Sequence, residues 1–219
     1  MSPNDWEECF LLHQRSYGDT SIIAEIFTRK SGKMSVIARG AKKPKSKFFG
    51  YLVPFSKLQI TYSGRSELKT LTNIDRDLSL IDNNLSKKSY SLLYINELMI
   101  KLLPKDAANE DLFNLYSNFI EASVKEIDMR FLLRSFELDL LDMLGYGINF
   151  QTDIDAHEPI EAALDYIFIA ERGFKTSNKD SDFSGQDIID IRNRNLINVS
   201  SNKLKQLTQA TIMFCLEGK

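Results

Sequence analysis

The sequence is poor in the residues that most often carry chemistry. It has two cysteines, two histidines and one tryptophan among 219 residues. Cys9 and Cys215 stand at opposite ends of the chain and make at most one disulfide, which is typical of a reduced, cytoplasmic protein. Neither histidine has a cysteine or histidine partner at metal-ligand spacing. We therefore expect no metal site and no cofactor.

Long apolar runs are also missing. No stretch approaches the roughly 18 apolar residues that span a bilayer, and the acidic N-terminal residues do not resemble a secretory signal. Apolar residues nevertheless make up 43% of the chain and charged residues 26%, as in an ordinary globular protein. We expect a cytoplasmic protein without a membrane contact, built as one large domain or two small ones.

Charge is distributed unevenly along the chain, although the net charge is only −2. Residues 1–80 contain 13 Lys or Arg against 8 Asp or Glu, whereas residues 81–219 contain 15 against 22. Within the first part, residues 29–47 hold eight basic side chains and no acidic one. Such a local concentration attracts polyanions whatever the net charge. The N-terminal part is therefore predicted to meet a negatively charged partner.

The spacing of apolar residues changes near residue 80. Between residues 6 and 76, apolar and polar residues alternate in five short segments, and residues 64–66 are short enough to close a hairpin. A small five-stranded barrel of the OB type accommodates that number of strands. The predicted fold is α+β: an OB-type barrel over residues 1–80, then a mainly α-helical domain with a small β-hairpin over residues 81–219.

Helical spacing dominates the second domain. It predicts helices over residues 85–102 and 109–124, and a third helix between an N-cap at Asp128 and a stop at Gly145. Alternation around residues 171–173 predicts the small hairpin within residues 165–176. Residues 186–194 and 202–216 are predicted to form two closing helices.

The basic stretch supplies the candidate nucleic-acid contacts. Its lysines run directly into Phe48, Phe49, Gly50 and Tyr51. Such a mixture suits single-stranded nucleic acid, because cations neutralise phosphates and unpaired bases stack on rings. For the three aromatic residues we favour the alternative, a place in the barrel core. The predicted DNA-binding residues are Lys33, Arg39, Lys42, Lys43, Lys45, Lys47 and Arg65. The last of these, Arg65, is expected at the tip of the hairpin.

The third predicted helix carries apolar residues on two faces. Beside its continuous apolar stripe, Phe131, Leu138 and Leu141 point to the opposite side, with Arg134 among them. Either the helix is buried all round, or its second face lines a groove. Such a groove would bind a peptide with an apolar side chain and a carboxylate, which arginine holds through two parallel hydrogen bonds. The candidate partner-binding residues are Arg134, Leu138 and Leu141.

No residue pattern indicates catalysis. The sequence has neither a phosphate-cradling glycine loop nor a nucleophile elbow. A nuclease would need clustered acids in the basic half, where Asp19, Glu25 and Glu67 are the candidates. We therefore expect a binding protein rather than an enzyme. The residues alone leave two functions open: nucleic-acid binding, and a protein-interaction adaptor whose basic loop docks on an acidic protein partner.

Several short segments occur in a characteristic order along the chain. The clearest are residues 17–21 (YGDTS), 38–42 (ARGAK), 133–138 (LRSFEL) and 144–150 (LGYGINF). This ordered set resembles the RecO family of bacterial recombination mediators. The resemblance covers residues 10–150 well and is thinner beyond.

The resemblance implies a function as well as a fold. It implies an OB domain followed by a helical domain, binding to single- and double-stranded DNA, and annealing of complementary strands. It also implies contacts with RecR and with the acidic C-terminal tail of single-strand-binding protein, promoting RecA loading during recombinational repair in the nucleoid. By position, Arg134 and Leu138 would bind that tail, and the phosphate-facing residues would be Arg39, Lys42, Lys43, Lys45 and Lys47.

Two departures from the family pattern affect these expectations. Many members carry two Cys-x-x-Cys pairs after the Gly-Tyr-Gly segment, but residues 151–157 contain no cysteine, so no zinc is expected. Members usually continue with a basic tail past the final Gly-Lys, whereas this sequence stops at Lys219.

Overall fold

The computed structural model describes residues 5–76, 85–125 and 127–218. It divides into two compact units, Met1–Glu126 and Ile127–Lys219. The first unit contains the strands of the N-terminal part and also the first two helices. The predicted boundary near residue 80 lies outside the described residues.

Five strands close into a barrel in the first unit, with the spatial order β1-β2-β3-β5-β4. Neighbouring strands are antiparallel except for β3 and β5, which are parallel. The five-stranded OB-type barrel predicted from the sequence is confirmed. Its strands are β1 (Glu7–Tyr17), β2 (Ser21–Thr28), β3 (Gly32–Ala38), β4 (Lys57–Ser63) and β5 (Leu68–Arg76).

The interior of the barrel is filled by alternate residues of its strands. Cys9 and Leu11 of β1 point inward, as do Ala24 and Ile26 of β2. Side chains of a strand alternate between its faces, so their neighbours lie on the outer face of the barrel. The remaining core residues include Met34, Val36, Ala38, Leu58, Ile60 and Leu71.

Two helices, α1 (Leu85–Leu102) and α2 (Glu110–Ser123), complete the first unit. Phe10 and Phe27, on the outer face of β1 and β2, stack against Phe113 and Tyr116 of α2 with ring centroids 5.0–6.4 Å apart. Because β1 is covered on both faces over residues 9–12, those four residues are all apolar. The barrel and its helices therefore share β1 as a common core strand.

A β-bulge interrupts the pairing of β1 with β2. Leu11 pairs with Ile26 but His13 pairs with Glu25, which leaves Leu12 as the extra residue. Asn96 of α1 donates hydrogen bonds from its side-chain amide to the carbonyl oxygens of Leu12 (2.9 Å) and Leu11 (3.4 Å). Its own carbonyl accepts from the Tyr116 hydroxyl. A buried side-chain network thus holds the bulge in place.

The second unit combines helices with a small antiparallel sheet in the order β7-β6-β8. The hairpin predicted within residues 165–176 is present, and a short third strand joins it. Asp128 caps the first helix of this unit by accepting from the backbone N–H of Arg130, as expected. The elements are α3 (Met129–Met143), β6 (Asp165–Ile169), β7 (Gly173–Thr176), β8 (Phe183–Ser184), α4 (Gly185–Arg192) and α5 (Ser201–Glu217).

Among the residues described here, no helix has both the length and the apolar character that crossing a bilayer requires.

A buried carboxylate fixes the loop between α3 and β6. Asp153 accepts hydrogen bonds from the backbone N–H groups of Asp155, Ala156 and Thr176 and from the Thr176 hydroxyl, at 2.6–2.8 Å. Burial alone would raise the pKa of Asp153, but these donors outweigh it and lower the pKa to about 2. The charged carboxylate therefore joins the loop to β7.

Replacing this carboxylate gives a pH-dependent test of the loop. Asp153→Asn should lower the free energy of unfolding at neutral pH by about 1–3 kcal/mol, because buried N–H donors lose an ionised acceptor. A carboxyl group whose pKa is lowered on folding stabilises the folded state at pH values above its pKa in the unfolded chain, which is near 4 for Asp. That stabilisation is lost as the pH falls through the pKa in the folded state, about 2. In urea titrations, the difference between wild type and variant should shrink below pH about 4. A difference that stays constant from pH 7 to pH 3 would contradict this account.

Candidate nucleic-acid interface

The lysines singled out in the sequence lie in one irregular segment between β3 and β4. We call residues 39–47 the basic segment. Its turns are closed by local backbone hydrogen bonds, and Gly40 adopts a φ of 71° that favours glycine at the first of them. The segment is joined to the β1–β2 turn, because the backbone N–H of Lys42 donates to the carbonyl of Thr20 at 2.9 Å.

Apolar side chains in and beside the basic segment determine which way its cations point. Ala41, Phe48 and Leu52 are buried and belong to the barrel core. With these three held inside, the intervening side chains turn outward. Arg39, Lys43, Lys45 and Lys47 are exposed, and Lys42 is half-buried.

These cations are not neutralised by carboxylates of the described part of the chain. Neither the five cations of the basic segment nor Arg65 at the hairpin tip has an ion pair with a described carboxylate, unlike Lys57, which pairs with Glu8. Lys42 donates instead to the carbonyl of Gly18, and Lys47 to the side-chain oxygen of Asn73. Since neutral acceptors leave the positive charge uncompensated, the segment presents a cationic surface to solvent.

The beginning of the basic stretch has a structural role instead. Lys33 is only 7% exposed, and its ammonium group donates to the carbonyl of Ile100 in the last turn of α1. A cation at a helix C-terminus is favoured by the helix dipole. The prediction that Lys33 contacts DNA is not supported by this position, because the ammonium group is buried against the last turn of α1.

Arg29 is occupied in a similar way. Its guanidinium contacts the carboxylates of Glu8 at 2.8 Å and Glu110 at 3.0 Å and lies 4.5 Å from the centre of the Phe113 ring. Burial tends to raise the pKa of Glu8, but the neighbouring cations Arg29 and Lys57 hold it below its usual value. Arg29 is therefore not available to a ligand, unlike the five cations of residues 39–47.

The three aromatic residues after the lysines differ in position. Phe48 enters the barrel core, as favoured from the sequence. For Phe49 and Tyr51 that expectation is wrong, since they are 51% and 38% exposed. Both rings are therefore accessible beside the cations.

A groove of about 530 Å³ runs over the outer face of the barrel beside the basic segment. Arg39 lies at one side of it and the β4–β5 hairpin, with Arg65 at its tip, at the other. OB folds bind oligonucleotides on the face of strands 2 and 3, between the β1–β2 and β4–β5 loops. The lining residues, which match that location, are Tyr17, Ser21, Ile37, Arg39, Ser66, Leu68 and Thr70.

Sequence reasoning missed Tyr17 in this groove. The ring is 52% exposed at the end of β1. The signal available was an aromatic residue immediately before Gly18-Asp19, at the β1–β2 loop of a predicted OB barrel.

The candidate partner-binding residues of α3 lie in the interior. Leu138 and Leu141 are buried, and Arg134 is 7% exposed. The Arg134 guanidinium pairs with the fully buried carboxylate of Glu137 at 2.9 Å and donates to the Thr208 hydroxyl of α5 at 2.9 Å. The face that carries Arg134 therefore lies in the interior and does not edge an open groove. The helix is not buried all round, however, since Arg130 and Met143 are exposed.

Two matches to family models cover nearly the whole chain. The model described as Recombination protein O N terminal matches residues 1–76, and the one described as Recombination protein O C terminal matches residues 86–217. The chain belongs to the RecO family. Membership in this family supports a role in DNA repair and recombination.

Curated relatives from several bacteria carry the name DNA repair protein RecO. The relative from Psychromonas ingrahamii is 33% identical over 215 residues, which are 96% of this chain and 92% of the relative. The one from Hamiltonella defensa is 38% identical over 187 residues, 84% of this chain and 79% of the relative. The one from Salmonella dublin is 33% identical over 219 residues, 98% and 90% of the two chains. The RecO match thus extends over both compact units.

The buried ion pair of α3 offers a test of its structural role. Arg134→Ala should lower the free energy of unfolding by about 3–5 kcal/mol, because it removes the cation beside a buried carboxylate. The matched control is Arg130→Ala on the same helix. Arg130 pairs with Asp128 at the surface, so its loss should change stability little. Equal urea midpoints for wild type and Arg134→Ala would contradict this structural role and favour the groove interpretation.

Proposed function

We propose that this RecO-family protein is a non-catalytic recombination mediator that binds single- and double-stranded DNA and anneals complementary strands. The observation that carries the proposal is the basic segment, whose five cations face solvent without a described carboxylate partner. The groove beside it occupies the nucleic-acid site typical of OB folds. The proposed DNA contacts are Arg39, Lys42, Lys43, Lys45, Lys47 and Arg65.

The proposed mechanism of annealing is electrostatic. Two complementary strands repel each other through their phosphates, and a dense set of cations lowers that repulsion when both strands contact it. Lysines suit this task because an ammonium group neutralises a phosphate without reading sequence. The basic segment would therefore bring two strands together while leaving their bases free to pair.

The proposed partners come from the family resemblance. They are RecR and the acidic C-terminal tail of single-strand-binding protein, and through them the protein would help RecA load on coated DNA. We assign neither contact to residues of this chain. Arg134, Leu138 and Leu141 are buried, and a tail carboxylate would have to displace Glu137 from Arg134.

Salt dependence of DNA binding tests the electrostatic contact. Affinity for a labelled single strand, measured by fluorescence anisotropy, should fall as salt rises, with a log–log slope of roughly −0.7 per phosphate contacted. Lys43→Glu/Lys45→Glu should weaken binding and make the slope shallower by roughly 1.4. These two lysines are chosen because their side chains are exposed and, within the described residues, have no ion pair with a carboxylate.

The control for that variant keeps the same change of total charge. Lys179→Glu/Lys205→Glu reverses two exposed lysines of the second unit and should leave both affinity and slope near the wild-type values. Equal losses in the two variants would show that only net charge matters. No binding of DNA by the wild type at low salt would favour the adaptor alternative, in which the basic segment docks on an acidic protein.

Annealing is the activity that separates a mediator from a simple DNA-binding protein. Complementary strands, bare or coated with single-strand-binding protein, should pair faster with the wild type than without it, and Lys43→Glu/Lys45→Glu should lose most of that acceleration. Fluorescence quenching between end-labelled strands measures the rate. Tight binding without any acceleration on either substrate would contradict the annealing function.

A further inference from the structure

The outer face of the barrel carries a second arrangement that the electrostatic mechanism does not use. Across β1, β2 and β3, directly paired residues form rows on this face. In one row Arg15 pairs with Ile23, and Ile23 with Ile37. In the next row Tyr17 pairs with Ser21. Arg39 directly follows Ala38, the last paired residue of β3, and therefore continues this row.

The rows have an apolar centre with charged and aromatic edges. Ile23 and Ile37 are nearly fully buried, and only the second of them lines the groove. Tyr17 is paired with the small residue Ser21 and is 52% exposed. Arg15 and Arg39 are exposed and have no ion pair with a carboxylate of the described part of the chain.

This combination fits a nucleotide whose base is unpaired. A base can stack on the tyrosine ring only if it is not already paired and stacked inside a duplex. Arg15 lies two residues before Tyr17 on the same face of β1, and Arg39 lines the groove with Tyr17, so both guanidinium groups are candidates to bind the phosphates that flank such a base. The lysines of the basic segment, by contrast, neutralise phosphates of either kind of DNA.

We propose that Tyr17 is the base-stacking residue of this face and that its stacking favours single strands over duplex. The inference rests on the proposed DNA-binding function and adds a specificity-determining residue to it. It also provides a route for releasing the product of annealing. Once two strands have paired, their bases no longer reach Tyr17, so the duplex is held by phosphate contacts alone and leaves more readily.

The test compares two single-stranded probes with equal charge. One is an oligothymidylate of about 16 nucleotides, at the upper end of OB-fold site sizes, and the other is an abasic oligomer with the same number of phosphates. Wild type should bind the oligothymidylate more tightly by roughly 5- to 150-fold for one stacked base. Tyr17→Ala should lose this preference but still bind the abasic oligomer as wild type does. Tyr17→Phe should keep the preference, because a phenyl ring also stacks.

A control and three other outcomes make the result decisive. Tyr90→Ala removes a highly exposed tyrosine from α1 and should keep the wild-type preference. Equal binding of both probes by wild type would overturn the inference while leaving the proposed function intact. A preference retained by Tyr17→Ala would overturn it as well, since another group would be stacking. Failure to bind either probe would remove the proposed function itself and the inference with it.

Discussion

The burial of Ala41, Phe48 and Leu52 in the barrel core is the constraint on which the candidate interface depends. An irregular segment rich in lysine has no periodic pattern to direct its side chains. Here three apolar residues hold it against the barrel, and the cations between them turn to solvent. Burying one large apolar side chain stabilises by roughly 1.5–3 kcal/mol. Hydrophobic packing thus orders a segment whose like charges would otherwise drive it away from a compact surface.

The same stretch of sequence divides its cations between two tasks. Arg29 and Lys33 connect the barrel to its helices, the first through Glu8 and Glu110 and the second through the last turn of α1. The cations from Arg39 onward remain without a described carboxylate partner. Lys33 stands at the beginning of β3 and Arg39 directly after its end, so the length of the strand separates the charges used for folding from those left for a ligand.

Much of the fold could be predicted from the sequence, but the direction of individual side chains could not. Alternation predicts the barrel and the hairpin because strands repeat every two residues. Alternation also places Lys33 opposite Met34, hence outside the barrel, but gives no sign that α1 covers that position. Phe48 and Phe49 are adjacent in an irregular segment, where no period distinguishes the buried ring from the exposed one. For Arg134, the two-faced pattern of its helix fits both a groove and an interior, and only tertiary packing separates them.

The bulge at Leu12 has a consequence for the identity of the side chains on the ligand-facing surface. Before it, the even-numbered residues of β1 point away from the barrel axis; after it, the odd-numbered ones do. An uninterrupted strand would have turned Gln14 and Ser16 toward the groove and hidden Arg15 and Tyr17 from it. Asn96 of α1 binds the two carbonyls at the bulge, so a helix packed near the first half of the strand influences which side chains are displayed on its second half.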